Sequence, residues 1–307
     1  MQIDPLLVPV LANQPSDPPP TVEELRAAEL ANARAIAGRL TSEIPASVSV
    51  RDESIAAESP IRVRIYTPAG DRTRAALLFA HGGGWASGSV EAADGHCGDV
   101  AAGADVVVVS VEYRLIPEHP FPAGLDDVWV ALNWLHDHAA ELGVDPERLA
   151  IGGESAGANL AAVAAIRARD EGGPALQLEL FEVAVFDLTD SMNESRQEIL
   201  DTMPDFARSM EATRDRYLAA GADPHDPRVS PLLEKDLSGL PTTLLLAADV
   251  DPVRDDSVAY AARLTAAGVP ARVRVFPGIV HGTESFTGLL PSAGEWLQEC
   301  VDALTAI

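Results

Sequence analysis

The stretch RLAIGGESAGANLAAVAAIRARD, Arg148 to Asp170, limits the possible folds of this chain more than any other. Leu149–Ile151 reads as the end of a short buried strand. Ala156–Arg169 reads as a helix rich in strong helix formers. A strand that becomes a helix within about five residues must turn sharply. Glycine suits such a turn, because it reaches backbone angles closed to other residues and leaves room for close packing. Gly152, Gly153 and Gly157 stand around the turn, and Ser155 stands at its tip.

The rest of the chain supplies the sheet that such a turn requires. Thr21-Val-Glu-Glu24 has the form of a capping box after the Pro18-Pro19-Pro20 break, and predicts a helix to about Leu40. Ser47–Glu53 and Ile61–Pro68 alternate apolar and polar residues, as an antiparallel pair does with one face on a core. From there the pattern becomes βα repeats. Strands are expected over Ala75–Ala80, Asp105–Tyr113, Leu176–Asp187, Thr242–Asp249 and Ala271–Pro277. Helices are expected over Gly124–Leu142, Val253–Ala267 and Ala293–Leu304. Buried strands alternating with helices predict an α/β fold with a mostly parallel sheet and helices on both faces. Between Leu188 and Ala222 the rhythm stops. Two helices broken at Pro204 are expected there. With the N-terminal helix they would form a cap of residues 1–45 and 188–225 over a core of residues 46–187 and 226–307. Met192, Met203 and Met210 all fall in this insertion. They suit a pliable lid over an apolar substrate, and ordinary gap-filling explains them equally well.

Composition removes several function classes. A formal charge of −25, from 47 acidic and 22 basic residues, repels nucleic acid and anionic membrane surfaces. No apolar run approaches the roughly 20 residues that span a bilayer. The N-terminus has no basic region and its apolar stretch is broken by prolines, unlike a signal peptide. Cys97 and Cys300 offer neither a disulfide framework nor a metal spacing, so a cytoplasmic setting is expected.

Gly153-Glu154-Ser155-Ala156-Gly157 fits the G-x-S-x-G nucleophile elbow. A serine hydroxyl needs a base to become a nucleophile, and the base needs an acid to orient it. In a sheet of this kind the order is serine, acid, histidine. His281 alone of the seven histidines lies late enough, in the loop FPGIVHG after a strand. Asp249, Asp251, Asp255 and Asp256 all follow the preceding strand and are candidates for the acid. Asp251-Pro252 also reads as an N-cap followed by proline at the first helical position. His81-Gly82-Gly83-Gly84-Trp85 follows the strand ending at Ala80. Its glycines expose backbone N–H groups, as an oxyanion forming on an acyl carbon requires. Gly83 and Gly84 are expected to supply donors, together with the N–H of Ala156, while His81 orients the loop. A phosphate loop is the rival for any glycine run, but no Gly-Lys-Ser/Thr follows.

HGGGW, GESAG, DPVRDD and HG, in this order, resemble the hormone-sensitive lipase-like family of α/β-hydrolase carboxylesterases. Glu112–Asp127 and Asp226–Leu233 resemble framework segments of that family, so the similarity covers nearly the whole chain. The resemblance implies an α/β-hydrolase fold of about eight strands with a helical cap. It selects Asp251 over its acidic neighbours and implies carboxylester substrates without metal or cofactor. It also suggests a homodimer through the last strand and helix. Two departures stand out. Glu154 replaces the usual Asp or Thr, and Asp187 stands where a Tyr-Pro pair is common, at the start of the cap. Trp85, Leu188, Met192, Phe206 and Met210 are the candidates to line the substrate pocket. The expected activity is hydrolysis of short- to medium-chain esters. An amidase, carbamate or lactone hydrolase with the same triad is the alternative. A non-catalytic binding homologue, like the plant gibberellin receptors that lack the triad histidine, is the remaining rival.

Overall fold

In the computed structural model, residues 2–11 and 21–307 are described. The Pro18–Pro20 break lies outside them. Eight strands form one sheet: β1 (Val48–Ile55), β2 (Ile61–Pro68), β3 (Arg74–Ala80), β4 (Val107–Val111), β5 (Val144–Glu154), β6 (Leu178–Glu182), β7 (Thr242–Val250) and β8 (Ala271–Val280). Their order is β1-β2-β4-β3-β5-β6-β7-β8. β2 pairs antiparallel with both β1 and β4, and the remaining neighbours are parallel. The helices are α1 (Val8–Leu11), α2 (Val22–Ile36), α3 (Asp94–Ala104), α4 (Ala123–Asp137), α5 (Ala156–Glu171), α6 (Glu194–Thr202), α7 (Pro204–Ala219), α8 (Arg254–Ala266) and α9 (Pro291–Thr305).

Successive strand residues point to opposite faces, so each central strand feeds two cores. Leu78, Val109 and Ile151 pack with Leu132, Leu160 and Tyr260 of α4, α5 and α8. Leu77, Phe79 and Val108 pack with Val100, Trp296 and Leu304 of α3 and α9. A smaller cluster lies above the carboxyl ends of the last two strands. It joins Leu7, Ile199 of α6 and Ala207 of α7 to Val250 and Val280. Among the described residues no helix is long and apolar enough to cross a membrane.

The capping box forms as the sequence predicts: Glu24 N–H donates to Thr21 Oγ1, and Thr21 N–H donates to Glu24 Oε2. The helix stops at Ile36, short of Leu40. Ala37 turns extended, Gly38 adopts φ +69°, and the Ile36 carbonyl collects the N–H groups of Arg39, Leu40 and Thr41. α4 likewise stops at Asp137, before the Gly143 turn. β4 starts at Val107 because Asp105, in the left-handed region, closes α3.

The largest correction concerns the strand expected over Leu176–Asp187, which pairs only over Leu178–Glu182. Val183 takes φ +41° and the chain leaves the sheet. The N–H groups of Phe186 and Asp187 then donate to the Asp256 carboxylate instead of to a neighbouring strand. β8 runs to Val280, three residues past the expected Pro277. Proline is tolerated there because β8 is an edge strand. The two helices broken at Pro204 are present, with Pro204 at the first position of α7.

Candidate active site

The elbow is forced by close backbone contact. A Cβ on Gly157 would lie 2.0 Å from the Ala80 carbonyl oxygen and 2.3 Å from that of His81. One on Gly153 would lie 2.5 Å from the same Ala80 oxygen. The turn is thus pressed against the end of β3, where only glycine fits. Ser155 itself sits at φ 52° and ψ −113°, a strained conformation for a residue with a side chain. Its N–H donates to the Glu182 carbonyl at 2.8 Å, tying the tip to β6.

The Ser155 hydroxyl lies 2.9 Å from His281 Nε2. His281 follows β8, and its Nδ1 lies 2.8 Å from Asp251 Oδ2. Asp251 is completely buried, and its other oxygen accepts the Val253 N–H. α8 begins at Arg254, so Asp251 forms a local turn ahead of the helix and is not its N-cap. The three neighbouring acids are engaged elsewhere. Asp249 lies near Arg254, Asp255 accepts the Ser195 N–H, and Asp256 binds the N–H groups of Phe186 and Asp187. Burial lowers the His281 pKa. The charge and hydrogen bond of Asp251, with Glu284 and Glu154 beyond, outweigh it and raise the pKa to about 9.

The glycine loop turns on three successive positive φ angles, at Gly83 (114°), Gly84 (60°) and Trp85 (59°). A side chain on Gly83 would meet the Ser87 carbonyl oxygen at 2.4 Å. The Gly83 carbonyl accepts from Ala86 and Ser87 N–H, which closes the loop on itself. His81 is buried, stacks on Tyr113 at 4.3 Å, and accepts the Tyr113 hydroxyl on its carbonyl. That is a loop-fixing arrangement, as the sequence suggests.

Comparison with known proteins bears on this geometry. A family model described as the alpha/beta hydrolase fold matches residues 77–285. Carboxylesterase NlhH of Mycobacterium tuberculosis is 36% identical over 95% of this chain and 92% of its own length. The chain belongs to the hormone-sensitive lipase-like α/β-hydrolases. Ethyl acetate hydrolase of Pseudomonas putida is 37% identical over 79% of this chain and 77% of its own. The solved structure of a hyperthermophilic esterase from the archaeon Pyrobaculum calidifontis superposes with a TM-score of 0.91 at 33% identity. That match covers 100% of this chain and 99% of the other.

In this α/β-hydrolase the pocket candidates fall in three settings. Trp85 is buried and stacks on Tyr217 of α7 at 4.1 Å, with the rings nearly parallel. Phe206 and Met210 are half-buried on α7, and Phe206 packs on the cluster around Val250 and Val280. Leu188 is wholly buried in the main core, and Met192 is 57% exposed. After the early exit at Val183 the Leu188 N–H donates to Ser230 Oγ.

The α/β-hydrolase also holds residues that the sequence reading missed. Thr213 of α7 touches Gly84, where a Cβ would lie 2.3 Å from its methyl group. Arg26 of α2 donates to the carbonyls of Ala86 and Ile116, pinning α2 beside the glycine loop. Under the elbow, the Glu182 carboxylate binds His96 Nε2 at 2.9 Å and Trp296 Nε1 at 2.6 Å. Burial pushes the Glu182 pKa up, but His96 and the hydrogen bonds dominate and hold it below the usual range. Its one sequence signal was a second glutamate, after Glu179, in a strand whose other residues are apolar. Glu284, three residues after His281, is 4% exposed. Asp187 makes a local turn with Thr189 N–H and the Ser191 hydroxyl.

Proposed function

We propose that this enzyme is a serine carboxylesterase that cleaves short- to medium-chain carboxylic esters through an acyl-enzyme intermediate. Its class is that of the carboxylic ester hydrolases. The observation that carries the reading is the unbroken hydrogen-bonded line from Ser155 through His281 to Asp251, at 2.9 and 2.8 Å. Ser155 attacks the ester carbonyl while His281 takes its proton. Asp251 holds the ring in the useful tautomer and stabilises the imidazolium. The N–H groups of Gly83, Gly84 and Ala156 receive the oxyanion. His281 then protonates the departing alcohol, and water repeats the sequence to release the acid. No step calls for a metal or cofactor.

In this reading α1, α2, α6 and α7 form the cap. Tyr217 and Thr213 bring it down onto the glycine loop, which favours compact acyl groups. The ethyl acetate hydrolase relative points the same way. Two buried, unpaired thiols suit a cytoplasmic enzyme. β8 is the edge strand beside α9, so a second copy could pair along it into a homodimer. Sedimentation at a single mass of one chain would end that part of the reading.

Initial rates on p-nitrophenyl acetate, butyrate, octanoate and palmitate, for wild type and Ser155→Ala in parallel, test the main claim. The expected result is a maximum at acetate to octanoate that vanishes in the alanine variant, with a phosphonate label on Ser155 by mass spectrometry. Faster turnover of palmitate would overturn the chain-length claim. Activity retained in Ser155→Ala would overturn the mechanism. A matched amide cleaved faster than its ester would shift the class to amidase. Because His281 must lose its proton to act, kcat/KM should climb as pH rises toward about 9.

A further inference from the structure

Two glutamates beside the triad have no part in the mechanism just given. Glu154 ends β5, directly before Ser155, in register with Glu182 of β6. Its carboxylate lies beneath the glycine loop, where a Cβ on Gly82 would meet Oε1 at 2.8 Å. Glu284 lies in the turn after His281, where Thr283 N–H donates to the Val280 carbonyl and Phe286 N–H to that of Thr283. Glu284 is 4% exposed, and its Oε2 has no protein donor among the described residues. The two carboxyl groups are within hydrogen-bonding reach of each other, and both act electrostatically on His281.

Glu154 is half-buried and Glu284 is shut off from water; two bare carboxylates in contact in such a setting repel each other, and a shared proton relieves both. Among the described residues, the cationic groups that act on the pair are histidines. His96 is spent on Glu182, the register partner of Glu154. Asp251 and Glu182 add further negative charge, and the buried Cys300 thiol faces Glu182. Asp99 of α3 is another acid near His96. His281 is the one cationic group in reach of both glutamates that is not held by another glutamate, and Asp251 already holds its Nδ1. Desolvation accordingly lifts both Glu154 and Glu284 above the ordinary carboxylate range, helped by the charge of Glu182 at Glu154 and by that of Glu154 at Glu284.

We infer that Glu154 and Glu284 share one proton and together present a single negative charge to His281, acting as positioning residues for the imidazole. The inference rests on His281 being the base. The sign of the effect explains why one charge is better than two or none. Each negative charge stabilises the imidazolium formed as Ser155 attacks. Each also favours a protonated resting ring, which cannot accept the serine proton. One shared proton keeps the transition-state benefit and leaves the base available at mildly alkaline pH.

The arrangement predicts non-additive behaviour. Glutamine is isosteric with a protonated glutamate. Glu154→Gln leaves Glu284 to carry the charge, and Glu284→Gln leaves Glu154. Each single variant should lose only about two- to fivefold in kcat/KM, with the acid limb of its pH profile displaced by less than about half a unit. Glu154→Gln/Glu284→Gln removes the charge altogether. Its acid limb should move to lower pH by about one unit and its plateau should fall at least about tenfold beyond the product of the singles. Additive losses, or a double variant whose limb does not move, would overturn the inference. Carboxyl 13C shifts of the wild type count the protons without any variant. One proton on the pair at pH 7 is expected, and two fully ionised groups would overturn it. That count does not depend on the esterase reading, which fails separately if His281→Asn keeps full activity.

Discussion

The strand ends and the helices above them are held in place by different means. Ser155, Asp251 and His281 stand on turns fixed by backbone. Gly153 and Gly157 are wedged against the end of β3, Ser155 N–H is tied to β6, and Asp251 is locked to Val253. α6 and α7 rest instead on side chains. Tyr217 lies on Trp85, Thr213 touches Gly84, and Ile199 and Ala207 pack on Val250 and Val280. Polar anchors add to this: Arg196 and Asn193 reach Asp256, and Ser195 bonds the Pro252 carbonyl. Backbone contacts at about 2 Å admit one residue type, whereas a stacked ring or a methyl contact can be met by several. The proposed catalytic turns are therefore rigidly specified, and the shape of the proposed cap is open to change. Val250 and Val280 join the two regions, since they directly precede Asp251 and His281 of the hydrogen-bonded line.

Four perturbations test that contrast. The largest effect should come from Asp251→Asn. Asparagine can still accept the Val253 N–H, but it cannot stabilise an imidazolium. kcat should drop by about 10⁴-fold, with a melting temperature near that of wild type. Near-normal turnover would mean that the strand ends do not hold the chemistry. Next is Arg196→Met, which leaves Asp256, 1% exposed at its side chain, without its cation. Urea unfolding should show a loss of about 3 kcal/mol, because an uncompensated buried charge is left. An unchanged midpoint would show that this anchor does not hold the cover.

Glu179 probes the sheet away from both regions. It is fully buried on β6 and donates nothing, accepting only the Thr243 hydroxyl. Burial pushes its pKa up to about 8 from an ordinary 4.5. Its stabilising contribution is therefore whole below about pH 4.5 and is lost as pH rises through about 8. Relative to wild type, Glu179→Gln should gain on the order of 2 kcal/mol between pH 5 and pH 8.5 by denaturant unfolding, with the ester profile unmoved. A shifted chain-length preference in this variant would blur the distinction between sheet and cover. The smallest change should come from Tyr217→Ala. Losing the stack on Trp85 is worth about 1 kcal/mol. The preferred acyl length should move upward by kcat/KM on the p-nitrophenyl series, while the acid limb stays where it was.

Most of the proposed catalytic arrangement could be read from the sequence because its parts are local. Three glycines around a serine, a glycine run after a strand and a histidine after the last strand each carry their constraint within a few residues. The acid could not be read in the same way, because four aspartates follow β7 and spacing alone does not choose among them. The resemblance selected Asp251, and the structure has it as the one in contact with His281. Segments whose partners are distant were misread. Leu176–Asp187 has strand composition throughout, yet Asp256, some seventy residues on, captures its last N–H groups and ends the strand early. Tyr217, Thr213 and Arg26 gave no local sign that they meet the glycine loop.

By itself the sequence determined an α/β chain with a serine at a strand–helix elbow, a glycine loop and a late histidine. Steric limits on backbone act between near neighbours and leave a mark in residue type. Only the tertiary structure decided how α7 settles on the loop and that Glu154 and Glu284 meet beside His281. Those pairings join residues from different strands and turns. Electrostatics and packing depend on distance through space, which the order of residues along the chain does not encode.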